Sequence, residues 1–368
     1  MQNTCLEKIR NRSNIDPLFS RSHGGINALN LPNKNKFLDF SVSINPYGPP
    51  PGMQLSLNLS SIKEYPDPQS KELTKLLASI NDLDEENIFI GNGSAEIIAL
   101  LFFCFVKKED VVMALWPSFG EYFHYAHIMQ SKIVRIKLNL PDFCLNLNVI
   151  NKMVKKHQLR LFFFCNPNNP TGNYYDEKEA VSILESLPEE TLFILDEAYV
   201  NLVLSKWNSV SLLKRFKNLI ILRSLTKDYA LTALRLGYSM ASKEITYFLR
   251  SACPSWNINT QAQCNGVRIF NNKTFLEKSV LLLHKEKGRI EKVVKKLGYN
   301  MLPSSVNFYL IEVKNAKEAT RLLLSNNIYV RDCTNYDLPQ YLRISVKLPR
   351  ENNYLLKVLG NLAYKIKS

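Results

Sequence analysis

Between residues 87 and 223, short apolar runs alternate with amphipathic stretches of helix length, the signature of a largely parallel sheet covered by helices. The spacing predicts strands over 87–91, 111–115, 132–138, 159–165, 191–196 and 218–223, with Leu234 to Met240 as a further candidate. Helices are expected at about 70–80, 95–106, 119–130, 146–157 and 177–187. From about residue 243 the pattern changes to long charged helices, above all 274–297. A strand over 306–313, a helix over 316–326 and strands near 328–331 and 341–346 follow. The expected organisation is an arm over 1–44 packing with the small domain, a large α/β domain over 45–245, and a small α+β domain over 246–368.

Length fits this division, since 368 residues at roughly 150 per domain make about two domains. A hydrophobic share of 46% with 22% charged residues excludes a disordered or low-complexity chain. The longest uninterrupted apolar run, Ile97 to Val106, falls far short of the roughly 20 residues that cross a bilayer. The N-terminal segment carries charge throughout and lacks a signal-peptide apolar stretch, so a cytoplasmic protein with no membrane partner is expected. Seven cysteines (5, 104, 144, 165, 253, 264 and 333) are scattered singly, an odd number without a CxxC pair, which predicts reduced thiols and no metal site. Lys and Arg outnumber Asp and Glu by 47 to 33, a net charge of +14 that first suggests a nucleic-acid partner. The basic residues are dispersed, however, so no nucleic acid is expected; a solvated basic surface would favour anionic small molecules.

Four segments carry candidate chemistry. In IFIGNGSAEIIALL (88–101) an apolar strand runs through Gly91, Asn92, Gly93 and Ser94 into a helix, whose unsatisfied N–H groups can hold a phosphate. The same glycines also serve a tight strand-to-helix turn. LRLFFFCNPNNPTG (159–172) ends a strand in Asn and Pro at the edge where open α/β sheets bind ligands. TLFILDEAYV (191–200) carries Asp196 and Glu197 at the end of a buried strand, with Tyr199 beyond; a carboxylate there costs several kcal/mol unless paired. A helix N-cap is an equally open reading of Asp196. In NLIILRSLTKDYALTALRLGY (218–238), Lys227 stands among apolar and hydroxyl residues with Arg235 eight positions on. A lysine in such a pocket can lose its proton and form an imine with an aldehyde, although such a lysine alone is more often a surface lysine. Together these supply what a phosphate-bearing pyridine aldehyde needs: a lysine, a carboxylate for the ring nitrogen, donors for the ring hydroxyl and a phosphate cup.

With DEAY, NPNNPTG, and SLTK followed by RLGY, the chain resembles the pyridoxal-phosphate enzymes of aminotransferase fold type I from about His23 to the C-terminus. The resemblance implies a large, mainly parallel sheet domain covered by helices plus a smaller α+β domain, and pyridoxal 5'-phosphate as cofactor. It implies Lys227 as the covalent attachment, Asp196 at the pyridine nitrogen, and Tyr199 and Asn169 at the ring hydroxyl. Gly93, Ser94, Ala95, Ser224 and Arg235 would hold the cofactor phosphate, and Phe119 would stack on the ring. Tyr65 matches a tyrosine that reaches the phosphate of the neighbouring subunit, which implies a homodimer with shared sites. His23, Asn45, Asn169, Arg331 and Arg343 match substrate-binding positions, with Arg343 taking an α-carboxylate and His23 and Arg331 lying near a substrate phosphate.

Flanking marks (HGGIN at 23–27, SINPYGPP at 43–50, PSWNINTQAQ at 254–263, and the stretch from 329 to 353) are most similar to decarboxylases of L-threonine O-3-phosphate. They imply a phosphorylated aminopropanol product for cobalamin synthesis. The alternative is amino transfer to 2-oxoglutarate, as in histidinol-phosphate aminotransferases. A DNA-binding regulator on the same fold would need an added domain, for which the arm before His23 offers no room. Thr232 and Ala233 stand where the family commonly has Pro-Gly, so the turn before RLGY is expected to differ.

Overall fold

The computed structural model describes residues 24–29, 33–53, 62–272 and 274–367; Cys5 and His23 lie outside them. The strands are β1 (Leu38–Asp39), β2 (Ile88–Asn92), β3 (Val111–Trp116), β4 (Lys132–Lys137), β5 (Leu159–Cys165), β6 (Leu192–Asp196), β7 (Leu219–Ser224), β8 (Leu236–Met240), β9 (Phe308–Glu312), β10 (Ile328–Tyr329), β11 (Arg331–Asp332) and β12 (Tyr341–Ser345). The α-helices are α1 (Lys71–Asn81), α2 (Gly93–Phe105), α3 (Gly120–Ile128), α4 (Leu147–Lys156), α5 (Glu177–Ser186), α6 (Lys243–Ala252), α7 (Thr260–Arg268), α8 (Phe275–Lys296), α9 (Ala316–Leu324) and α10 (Pro349–Ile366).

Seven strands form one sheet in the order β2-β8-β7-β6-β5-β3-β4. Only β8 runs against its neighbours, β2 and β7. The reason is local: the chain leaves β7, turns within eleven residues and returns as β8 beside it, whereas parallel neighbours are reached by longer crossovers, α-helical except between β6 and β7, where short 3-10 turns at Val200–Leu202 and Ser209–Lys214 serve. Both faces of the sheet are covered, and period-two alternation deals its side chains to opposite sides. Phe162 and Phe164 of β5 join one apolar cluster, while Leu161, Phe163 and Cys165 join the other. Phe193 and Leu195 of β6 divide from Leu192 and Ile194 in the same way. Each fully buried side chain of this kind contributes about 1.5–3 kcal/mol relative to exposure, so the strands at the centre are the rigid part of the scaffold.

A third cluster surrounds the three-stranded sheet β11-β12-β9, with Tyr309, Ile311, Leu342 and Ile344 packed by α8, α9 and α10. The expected single strand near 328–331 is cut in two at Val330. β10 pairs with β1 and β11 with β12, because the chain changes partners at Val330, whose side chain is fully buried. Helix α10 extends beyond the last predicted element, with Pro349 at its first turn and Leu355, Leu359 and Ile366 buried on one face. Helices α6 and α7 lie against the seven-stranded side, packing on α2 and α1.

Candidate active site

The carboxyl ends of β5, β6 and β7 open on a cavity of about 410 Å³, within the range of small-molecule sites. The NPNNPTG loop shows how the chain builds its wall. Asn166 exchanges hydrogen bonds with the Tyr175 backbone: its Nδ2 donates to the carbonyl at 3.0 Å, and its Oδ1 accepts from the N–H at 2.8 Å. Asn168 donates to Pro117 O at 3.0 Å and accepts from Ser118 Oγ at 2.9 Å. Two of the three asparagines are thus used in closing loops, and Asn169 reaches the cavity.

Asp196 is the last residue of β6, with 2% exposure. The Tyr122 hydroxyl donates to its Oδ2 at 2.5 Å, and the Ala198 N–H to its Oδ1 at 3.0 Å. Burial raises its pKa, against the hydrogen bond from Tyr122. The N-cap reading does not hold: the helical turn that follows starts from Tyr199, so the carboxylate closes a local turn on Ala198 and otherwise faces Tyr122 and the cavity.

Lys227 lines the same cavity, its Nζ 5.9 Å from the centre of the Tyr199 ring. Desolvation lowers its pKa to about 8, helped by Arg343 and Arg235 and opposed by Asp196. At pH 7 roughly a tenth of such an amine is neutral, against well under a thousandth for an unperturbed lysine. Tyr199 and Phe119 also line the wall.

At the start of α2, Ser94 and Ala95 face the cavity. Gly93 has φ +73°, and a Cβ there would lie 2.7 Å from Arg235 Nη2, so glycine lets the guanidinium approach the turn. Arg235 Nη1 donates to Thr232 O at 3.2 Å, so the turn without Pro-Gly still holds this arginine. Gly237, in RLGY, is closer still: its Cβ would fall 2.6 Å from Ser94 N and 2.9 Å from Gly93 C. Those atoms are backbone and yield only if α2 moves. Gly237→Ala is therefore expected to cost about 1–3 kcal/mol and to weaken phosphate-ester binding; thermal melts and an equilibrium titration with the cofactor check both.

Arg331 and Arg343 are directly opposed on β11 and β12, 4% and 6% exposed, and both line the cavity. Arg343 donates to Asn169 Oδ1 through Nη1 and to Ser41 O at 2.7 Å through Nη2, while its buried Nε has no hydrogen-bond partner among the described residues. Arg331 donates to Asn335 Oδ1 at 3.1 Å and lies 5.5 Å from the centre of the Tyr336 ring. Two buried cations on adjacent strands make the pocket a place for anions.

Other expected residues sit elsewhere. Asn45 is spent inside the protein: its amide donates to Asp228 O at 2.9 Å and Ser279 Oγ at 2.8 Å, and its Oδ1 accepts from Tyr47 N at 3.1 Å. Its backbone N–H instead holds the Lys227 carbonyl at 2.8 Å. The Ser224 hydroxyl pairs with Thr226 Oγ1 at 2.7 Å, behind the lining. Tyr65 is 77% exposed and stacks on Trp256 with ring centres 4.4 Å apart. His23 lies outside the described residues. Residues missed in the sequence are Tyr122, Ser41, Ser43, Tyr336 and Gly237. A signal existed for Tyr122, an aromatic residue in the first turn of α3 only three positions beyond Phe119, the N-cap of that helix; the two rings meet edge-on at 5.7 Å. Ser41 precedes the first long strand in an irregular segment and carried none, while Ser43 opens the SINPYGPP mark without being singled out within it.

Comparison with known proteins agrees with this geometry. Residues 35–359 match the family "aminotransferase class I and II". A histidinol-phosphate aminotransferase of Thermoanaerobacter sp. (strain X514) is 33% identical over 304 residues, 82% of this chain and 85% of that protein. One from Ruminiclostridium cellulolyticum is 31% identical over 352 residues, 94% and 97% of the two chains. Among solved structures, the histidinol-phosphate aminotransferase of Clostridium acetobutylicum has a TM-score of 0.80 at 26% identity, covering 89% of this chain and 99% of that one. The Sinorhizobium meliloti histidinol-phosphate aminotransferase, solved with pyridoxal-5'-phosphate, has a TM-score of 0.77 at 20% identity, covering 88% and 90%. The L-threonine-O-3-phosphate decarboxylase of Porphyromonas gingivalis shares the fold, with a TM-score of 0.72 at 24% identity over 84% and 93%. The chain belongs to the class I and II aminotransferase family, an α/β enzyme of fold type I whose cofactor is pyridoxal 5'-phosphate.

Proposed function

We propose that this protein transfers an amino group between a small phosphorylated amine and 2-oxoglutarate; its relatives named histidinol-phosphate aminotransferase support the amino transfer and the phosphorylated amine. The observation that carries this is a single cavity holding Lys227, with its lowered pKa, beside Asp196 and two buried arginines. The residues fit the cofactor: Gly93 leaves room for the Arg235 guanidinium at the start of α2, where helix N–H groups favour a phosphate. When bound, the cofactor supplies a conjugated ring that accepts electrons from the substrate's Cα.

In this reading Lys227 holds the cofactor and afterwards carries the proton at Cα, which a near-neutral pKa suits. Asp196 would hold the ring nitrogen, and Tyr199 and Asn169 the ring hydroxyl. Ser94, Ala95 and Arg235, backed by Gly93 and Ser224, would hold the phosphate, and Phe119 would stack on the ring. Arg343 takes a carboxylate, for which its unpartnered Nε is available, and Arg331 a substrate phosphate. The exposed Tyr65 is left to reach a second subunit's site in a homodimer. The division proposed with this function is an arm over 1–44, a cofactor-binding unit over 45–245 and a smaller unit over 246–368, with α6 and α7 lying against the cofactor-binding side. Among the described residues no helix is long and apolar enough to cross a membrane.

Decarboxylation of threonine O-3-phosphate is the second reading. It is favoured by Gly24, the second residue of the HGGIN mark, in the cavity wall. The named relatives favour amino transfer. Purified protein loaded with cofactor is expected to form glutamate from 2-oxoglutarate with histidinol phosphate as donor. Release of CO₂ from threonine phosphate without 2-oxoglutarate would reverse the choice.

A further inference from the structure

We infer that Tyr122 is a positioning residue that keeps the Asp196 carboxylate ionised and aimed, and so sets where the proton between that carboxylate and the cofactor's ring nitrogen resides. The inference rests on the reading of Asp196 given above. Tyr122 is 1% exposed, and its hydroxyl donates to Asp196 Oδ2 at 2.5 Å. Its ring is fixed independently of that bond: it stacks on Phe163 with centres 4.4 Å apart, and Phe119 meets it edge-on at 5.7 Å.

The chemistry follows from burial. Asp196 ends a central strand in a dry environment, which alone raises its basicity; a carboxylate made basic enough takes the ring proton for itself and leaves the nitrogen neutral. A hydroxyl donating to one carboxylate oxygen opposes this by stabilising the anion. Tyr122 is suited to stay a donor, because burial and the neighbouring Asp196 push its own pKa well above the usual tyrosine range. Cys165, paired with Asp196 across β5 and β6, has its thiol pKa pushed up by the same burial and adds no competing charge. The other donor on the carboxylate, Ala198 N–H, binds Oδ1 and holds direction but cannot replace the bond at Oδ2.

Tyr122→Phe tests this, since it removes one oxygen and keeps the ring in its stack. In the cofactor-free protein, the infrared band of the Asp196 carboxyl, assigned by its loss in Asp196→Asn, is expected to titrate about one pH unit or more higher in Tyr122→Phe. In the cofactor-bound protein, kcat should fall about tenfold with KM within about twofold. The pH midpoint of the visible absorbance should rise, because a less positive ring lets the Lys227 linkage keep its proton to higher pH. In an Asp196→Asn background the added Tyr122→Phe change should leave that midpoint where it is. An unmoved Asp196 titration overturns the role of Tyr122 while leaving the proposed function intact. A lower kcat with an unmoved visible midpoint overturns it too, since that is the pattern of a structural effect. Wild-type protein that gains no visible absorbance with the cofactor overturns the underlying reading of the site, and this role with it.

Discussion

Lys227→Ala is expected to lower kcat by on the order of 10⁴-fold or more, combining loss of the covalent attachment with loss of the proton carrier. Borohydride reduction followed by mass spectrometry should find the cofactor's mass on Lys227 in the wild type and nowhere in the variant. Stability should be little changed or improved, because the amine stands in desolvating surroundings, with Arg343 and Arg235 both disfavouring its charge. The same pKa of about 8 fixes a pH dependence. Only the neutral amine reacts with an aldehyde, so cofactor uptake by the cofactor-free protein should rise about tenfold per pH unit below that value and level off above it. Uptake that is flat from pH 6 to 8 would contradict the placement of Lys227 in the cavity as an activated amine.

Asp196→Asn should lower kcat by roughly 10²–10³-fold, the usual effect of removing a preorganised electrostatic partner in a dry site. The neutral amide keeps the shape: its one oxygen can still accept from Ala198 N–H, while its NH2 group can donate to the Tyr122 hydroxyl, so folding should survive. Cofactor affinity should fall less than kcat, because the phosphate contacts at the start of α2 are untouched. A variant retaining more than about a third of wild-type kcat would show that the carboxylate charge is not required. The two substitutions separate cleanly: the first removes the attachment detected by borohydride, and the second preserves it while slowing turnover.

The strand pattern was legible because these strands are apolar over successive positions and bounded by Gly, Pro and Asn. Thus 159–165 and 111–115 were found at or near their true ends. The α10 helix was passed over: its apolar positions 355, 356, 359 and 366 follow helical spacing, but they lie beyond the last strand with no further element to frame them. At the site, residues inside dense local motifs line the cavity, since DEAY places Asp196 at the last position of β6 and SLTK places Lys227 three residues beyond β7. Asn45 shows the limit of motif reading. It lies in a recognisable segment, yet whether its amide faces the pocket or Ser279 depends on how α8 packs, 234 positions away in the chain. Gly237 and Tyr122 show the reverse, roles set by what approaches them across the sheet.

By itself, then, the order of residues determined the alternation of strands and helices, the strand-end placement of Asp196 and Lys227, and the type of chemistry, because each depends on neighbours a few positions apart. Only the tertiary structure decided that Arg331 and Arg343 share a cavity with them, that the Asn45 amide and the Ser224 hydroxyl are hydrogen-bonded to neighbours outside its lining, and that Tyr122 holds Asp196. The physical reason is that burial and hydrogen bonding act over a few ångströms of space: beside the sequence-local Arg235 and Ala198, the pKa of Lys227 is shifted by Arg343 and the Asp196 carboxylate is held by Tyr122, both from distant chain segments.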